Sequence, residues 1–127
     1  MPHTPYDRSL WIALAMGFIA ISCGNNEIIL EGVDSNTWKQ DPKGCKEIRT
    51  TMGASLEEQV DKFLRLSEME IVDLLGRPDE NELFVRSQQF YRYYIDPAPS
   101  CPAGKKDPRI LVVRFNALGV CHEASVE

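Results

Sequence analysis

Histidine is scarce in this chain. The 127 residues hold only two, His3 and His122. No pair of cysteines or histidines stands at the C-x-x-C or H-x-x-x-H spacing that lets neighbouring side chains grip one zinc ion. No glycine-rich phosphate loop is written anywhere, and no internal repeat is visible. Cationic excess is missing too: 14 Lys and Arg face 19 Asp and Glu, a net charge of -5. A mildly acidic chain without a basic stripe argues against nucleic acid, where phosphate neutralisation supplies most of the affinity. It argues equally against a polybasic patch held to anionic lipid. Finally, no apolar run is long enough to cross a bilayer. The longest, LWIALAMGFIAIS over residues 10–22, rises about 20 Å as a helix against a hydrocarbon core of about 30 Å.

Those thirteen residues have another use. An uncharged stretch of that length behind a short polar start suits the apolar region of a secretory signal peptide. It stops at Ala20-Ile21-Ser22-Cys23, with small residues where a peptidase cleft needs them. The four residues resemble the lipobox of bacterial lipoproteins. In that class the cysteine thiol takes a diacylglycerol, the leader is cut before it and the new amino terminus is acylated. The resemblance makes Cys23 the lipidation site and predicts firm anchoring, at about 0.8 kcal/mol per buried methylene. Ordinary secretion is the alternative, since Ala20-x-Ser22 also fits the small-x-small rule for soluble exported proteins and would leave Cys23 free to pair.

Three segments follow: a signal peptide over 1–22, a lipidated tether over 23–54 and an α+β domain over 55–127. The tether is rich in turn compositions, and its second half is expected to be held to the domain by Trp38 and Cys45. Ser55-Leu-Glu-Glu58 and Ser67-Glu-Met-Glu70 both fit the capping box, in which Ser and Glu satisfy opposite orphan amides. Leu56, Val60, Phe63 and Leu64 then recur on one helical face, and Gly76 with Pro78 stops the second helix. QFYRYYI (89–95), RILVVRF (109–115) and VCHEASV (120–126) read as strands, separated by the proline-rich loop 97–108 and the turn NALG. A further short strand at ELFV is a weaker signal. The prediction is two helices packed on a three-stranded antiparallel sheet.

Period two assigns the faces. Tyr91, Tyr93, Ile95, Leu111, Val113 and Phe115 turn toward the helices. Phe90, Arg92, Tyr94, Ile110, Val112 and Arg114 turn away, and so much apolar surface calls for a cover, supplied by the arm at 24–54 or by a partner. The cysteines divide by distance. Strands of this length separate Cys101 from Cys121 by roughly 20 Å, beyond the reach of about 7 Å between disulfide α-carbons. With Cys23 lipidated, three cysteines are left; unless the long loop folds back, Cys101 pairs with Cys45, and Cys121 stays a small buried thiol. With residues 1–22 removed, His122 is the sole histidine; on a strand it and Cys121 point to opposite faces and form no dyad. The carboxylates Glu57, Glu58, Glu68, Glu70 and Asp73 are explained by helix-start charge and a solvated face. No catalytic residue, metal, cofactor or small-molecule substrate is expected.

MEIVDLLGRPDE, FYRYYI and LVVRFNALGVCHEASV resemble the small lipoproteins of the outer-membrane-assembly type. These include the smallest accessory component of the machine that inserts β-barrels into bacterial outer membranes. The resemblance rests on Leu75, Gly76 and Pro78, on Tyr91, Tyr93 and Tyr94, and on Phe115 and Gly119. It implies a lipid-anchored, periplasm-facing protein of the bacterial outer membrane whose domain binds an envelope protein. The outward-facing Phe90, Arg92, Tyr94, Ile110, Val112 and Arg114 are the candidate contact, because aromatics and arginine are enriched at interface hot spots. The same two-helix, one-sheet unit occurs in secreted inhibitors of β-lactamase. That implies a second reading, an inhibitor of a hydrolase acting through the proline-stiffened loop 97–108.

Overall fold

Alternation of side chains in RILVVRF and QFYRYY settles the sheet. In the computed structural model, which describes residues 27–127, these runs become β2, Gln89–Tyr94, and β3, Ile110–Phe115. They pair antiparallel with Tyr91 opposite Val113 and Tyr93 opposite Leu111. β4, Cys121–Val126, continues the meander beyond β3. Tyr91, Tyr93, Ile95, Leu111, Val113 and Phe115 are all buried on one side, as the period-two reading predicts.

The fold is α+β, but its sheet has four strands in the order β1-β2-β3-β4, not three. The added edge strand β1 is Glu80–Leu83 (ENEL), exposed along its whole length and displaced from the expected ELFV. Its composition is a poor strand signal. What places it is Asp79, whose carboxylate accepts the amide of Tyr94 at 2.8 Å, while its own amide donates to the Arg92 carbonyl at 2.9 Å. The chain leaving the preceding helix is thereby caught alongside β2.

Among the described residues the α-helices are α1, Ser35–Lys39, α2, Gly53–Glu57, and α3, Glu68–Leu75. α3 begins with the capping box read from the sequence: the Ser67 hydroxyl accepts the Glu70 amide at 3.1 Å and the Glu70 carboxylate accepts the Ser67 amide at 2.9 Å. The matching motif at Ser55 forms no cap. α2 starts earlier, at Gly53, so Ser55 sits inside it. The helix then breaks at Gln59 and resumes as a 3-10 turn over Val60–Phe63. Gln59 is drawn off the helical path because its carboxamide serves another strand of chain, donating to the Glu31 carbonyl at 2.7 Å and accepting the Glu31 amide at 2.8 Å. Phe63 stays buried, but Leu64 is turned outward.

Those contacts also change the place of the arm. From Leu30 onward it does not lie over the outer sheet face. Leu30, Val33, Trp38 and Met52 join Leu56, Phe63, Ile71 and Leu75 in one core against Tyr93 and Leu111. The reason is Trp38, fully buried, whose carbonyl and ring receive Arg49. The Arg49 guanidinium lies 4.4 Å from the Trp38 ring centroid, and its Nε donates to the Trp38 carbonyl at 3.0 Å. Its Nη1 reaches Asp79 at 2.8 Å and the Tyr94 carbonyl at 3.1 Å. Asp41, equally buried, accepts the amides of Lys46, Ile48 and Arg49. Charges this deep persist only when a counter-ion or several hydrogen bonds replace the lost water: Arg49 is paired with Asp79, and Asp41 is met by three backbone amides.

Candidate interaction face

Antiparallel register lays the outward-facing side chains in rows. Glu82, Phe90, Arg114 and Glu123 form one, and Glu80, Arg92, Val112 and Ser125 the next. Tyr94 and Ile110 stand opposite each other in the third. All six residues expected on this face, Phe90, Arg92, Tyr94, Ile110, Val112 and Arg114, are therefore brought together. Their partners were not legible from the strands alone, because they come from β1 and β4.

The face covers itself in part. Phe90 is 9% exposed, with Phe84 stacked on it at 5.1 Å between centroids. The Arg114 and Arg92 guanidinium carbons lie 4.5 and 5.8 Å from the same ring, within the range of cation–π attraction. Each arginine also pairs with a glutamate: Arg92 with Glu82 at 2.8 Å and Arg114 with Glu123 at 2.7 Å. Both carboxylates are half-exposed, so each pair contributes under about 1 kcal/mol while leaving guanidinium edges open to water. The Tyr94 hydroxyl donates to Glu80 at 2.9 Å. Burial first, then the Glu80 carboxylate, pushes the Tyr94 phenol above its ordinary pKa, so it remains a donor at neutral pH. Val112 is buried and Ile110 half-buried. The result is a solvent-facing plane of ring, guanidinium and aliphatic surface whose polar groups are satisfied but not sealed.

At the far end of the sheet, an open groove of ≈ 500 Å³ runs between Tyr94, Ile110 and the loop residues Pro99, Lys106 and Pro108. The loop is pinned by a Cys45–Cys101 disulfide, the pairing expected if Cys23 is not available. Gly44 makes that approach possible: it has φ +65, and a β-carbon there would sit 2.9 Å from the Asp96 carbonyl oxygen. Asp96 holds the loop's other margin, accepting the Arg109 Nε at 2.8 Å and the Thr50 hydroxyl at 3.2 Å. The Arg109 guanidinium keeps the Asp96 carboxyl well below the usual carboxylate range.

Cys121 is the free cysteine among the described residues, and it is buried. Burial pushes its thiol up, away from the thiolate form that reacts. His122, next to it, is exposed. Tyr91 is raised to about 12, by burial first and then by its hydrogen bond to Glu68. Among the described residues, no three His, Cys, Asp or Glu side chains stand close enough to hold a metal ion, and no helix is long and apolar enough to cross a membrane. The lipidation candidate Cys23 and the signal peptide lie outside the described residues. No protein-family model, no curated protein and no solved structure matches this chain.

Proposed function

We propose that this chain is a lipid-anchored, non-catalytic protein of the bacterial envelope that binds a protein partner through the outer face of its sheet. The observation that carries the reading is the plane of Phe90, Arg92, Tyr94, Ile110 and Arg114, with Phe84 beside it. Aromatic and arginine side chains are the types enriched at interface hot spots, and here they lie on rigid strands rather than loops, which lowers the ordering cost of binding. Acyl chains on Cys23 would hold the domain at the outer membrane, facing the periplasm, and so raise its effective concentration near other membrane-bound proteins. A role in envelope or outer-membrane protein assembly fits that address.

The test is site-specific photocrosslinking in cells that make the protein. A photoreactive phenylalanine analogue at Tyr94 should yield a discrete adduct, and the same probe at Lys106 should not. Arg92→Ala with Arg114→Ala should lower the Tyr94 adduct at least several-fold while leaving the circular dichroism spectrum unchanged. An adduct yield indifferent to both arginines would remove this face from the account. An adduct formed from Lys106 with a soluble hydrolase would favour the second reading, inhibition through the loop 97–108.

A further inference from the structure

The large apolar side chains left in water are not scattered. Leu83, Phe84 and Val85 form the tip of the β1–β2 hairpin, exposed by 70%, 46% and 65%. Leu118, the most exposed at 87%, is the tip of the β3–β4 turn. In an antiparallel meander, alternate turns lie at the same end of the sheet, so the two tips are neighbours. α3 starts between them: the Glu68 amide donates to the Gly119 carbonyl at 3.2 Å, and the Glu68 carboxylate accepts the Gln89 side chain at 3.5 Å. Met69, 75% exposed, is therefore at this end too. So is Leu64, 40% exposed, one residue before Arg65, whose amide donates to the Cys121 carbonyl at 2.8 Å.

Among the described residues one further large apolar side chain is exposed, Ile29 at 73%. Glu31 is hydrogen-bonded to Gln59, and the Ile29 carbonyl accepts Lys62 Nζ at 3.1 Å. Going back from 31 to 29 thus runs alongside 59 to 62, toward Leu64 and the paired turn. In the sequence, Cys23 stands four residues before Glu27. The opposite end is different in kind. Its exposed residues over 99–107 are Pro, Ser, Ala, Gly, Lys and Asp, with no large apolar side chain.

Charged side chains of both signs border these tips. Lys62, Arg65 and Arg86 are exposed cations set beside Ile29, Leu64 and Val85. Acidic groups are interspersed with them: Glu68 and Glu70 are hydrogen-bonded by Tyr91 and the Ser67 amide, Glu82 is paired with Arg92, and Glu27 and Asp61 are exposed, while Lys62 Nζ also donates to Gln59. Apolar tips flanked by Arg and Lys suit the boundary between headgroups and acyl chains, where the aliphatic groups leave water and the cations meet phosphate.

We infer that the two hairpin tips and the start of α3 form a docking surface for a phospholipid bilayer, so that the body stands on the membrane with its strands along the membrane normal. The orientation rests on the anchor proposed at Cys23; the clustering of apolar side chains does not. A six-residue strand spans roughly 20 Å, which lifts the disulfide-pinned loop clear of the lipid and turns the outer sheet face sideways, toward partners in the same membrane.

The experiment uses the protein purified from membranes and reconstituted into vesicles of phosphatidylcholine and phosphatidylglycerol. An environment-sensitive fluorophore is placed at Leu118→Cys, at Val85→Cys or, as the control, at Lys105→Cys. A nitroxide-labelled lipid should quench the first two at least about threefold more than the third. Adding Phe84→Glu and Met69→Glu should bring the Leu118 probe down to the level of the control. Equal quenching at all three sites in acylated protein overturns the docking surface and leaves the anchor standing. Shielding of the Leu118 probe from both lipid nitroxide and aqueous iodide also overturns it, because a protein then covers that end. If intact mass shows no acyl chain, the anchor fails; the released protein is then mixed with the same vesicles, and preferential quenching at Leu118 still upholds the surface.

Discussion

Arg49 shows how much of the molecule depends on one buried cation. Its side chain is 2% exposed, and Asp79, its partner, is 4% exposed. Truncating one member of such a pair strands the other, at a cost of about 3–5 kcal/mol. Arg49→Met should lose that much in urea denaturation, and adding Asp79→Asn should restore part of it. A loss under about 1 kcal/mol would mean that the amides of Lys43 and Tyr94 suffice for Asp79. Asp96 gives a pH-dependent counterpart. Its carboxyl is depressed in the folded protein, chiefly by Arg109, so its contribution is present above the unfolded value of about 3.9 and is lost as pH falls below it. Asp96→Asn should therefore be less stable than wild type at pH 7 by about 1–3 kcal/mol. The two stability curves should converge as acid protonates the wild-type carboxyl; curves that stay parallel down to pH 2 would contradict this. Neither residue stood out in the sequence. Arg49 lies in turn-like GCKEIRTT, and only the folded arm brings Trp38, Asp41 and Asp79 to it. The aromatic and aliphatic sheet residues, by contrast, were assigned to the right faces by alternation alone.

Two identical start signals, Ser55 to Glu58 and Ser67 to Glu70, separate at the level of elements. The second caps α3 and the first caps nothing. Ser67→Ala should cost about 1 kcal/mol, whereas Ser55→Ala should stay within about 0.5 kcal/mol of wild type. Thermal melts of the two variants side by side decide the matter, and equal losses would restore the longer helix. The local motif failed at Ser55 because α2 starts earlier, at Gly53, and places Ser55 inside the helix; the helix is then cut short where Gln59 binds Glu31, 28 positions away in sequence. Strand β1 was faint for the complementary reason: Glu80, Asn81 and Glu82 have little strand preference, and Asp79 positions them from outside. The hairpin that follows turns through Arg86 and Ser87, both left-handed at φ 62 and 63. That conformation is disfavoured for residues with a β-carbon, and neither residue announces it in the sequence.

The whole body is stapled across a separation of 56 residues by Cys45–Cys101. Closing a loop of that size in the unfolded chain corresponds to about 4 kcal/mol. Cys45→Ser with Cys101→Ser should lower stability by an amount of that order and loosen the loop 97–108, and Cys121 should stay unreactive to thiol reagents until the protein unfolds. A double variant as stable as wild type would show that Asp96 and Gly44 hold the loop unaided. The α+β class was readable from the pattern of elements, whereas this pairing followed only on the premise that Cys23 carries lipid and the long loop does not fold back. The merging of residues 30–54 into the core was not readable, because their turn-rich composition hides Trp38. At this scale the proposed function has one premise: lipid on Cys23 would give the domain its place. The most direct measurement is the intact mass of the protein extracted from bacterial membranes. The account predicts a chain cleaved before Cys23, bearing acyl chains, with one disulfide and one free thiol. An unmodified chain recovered entirely from the aqueous fraction would contradict it.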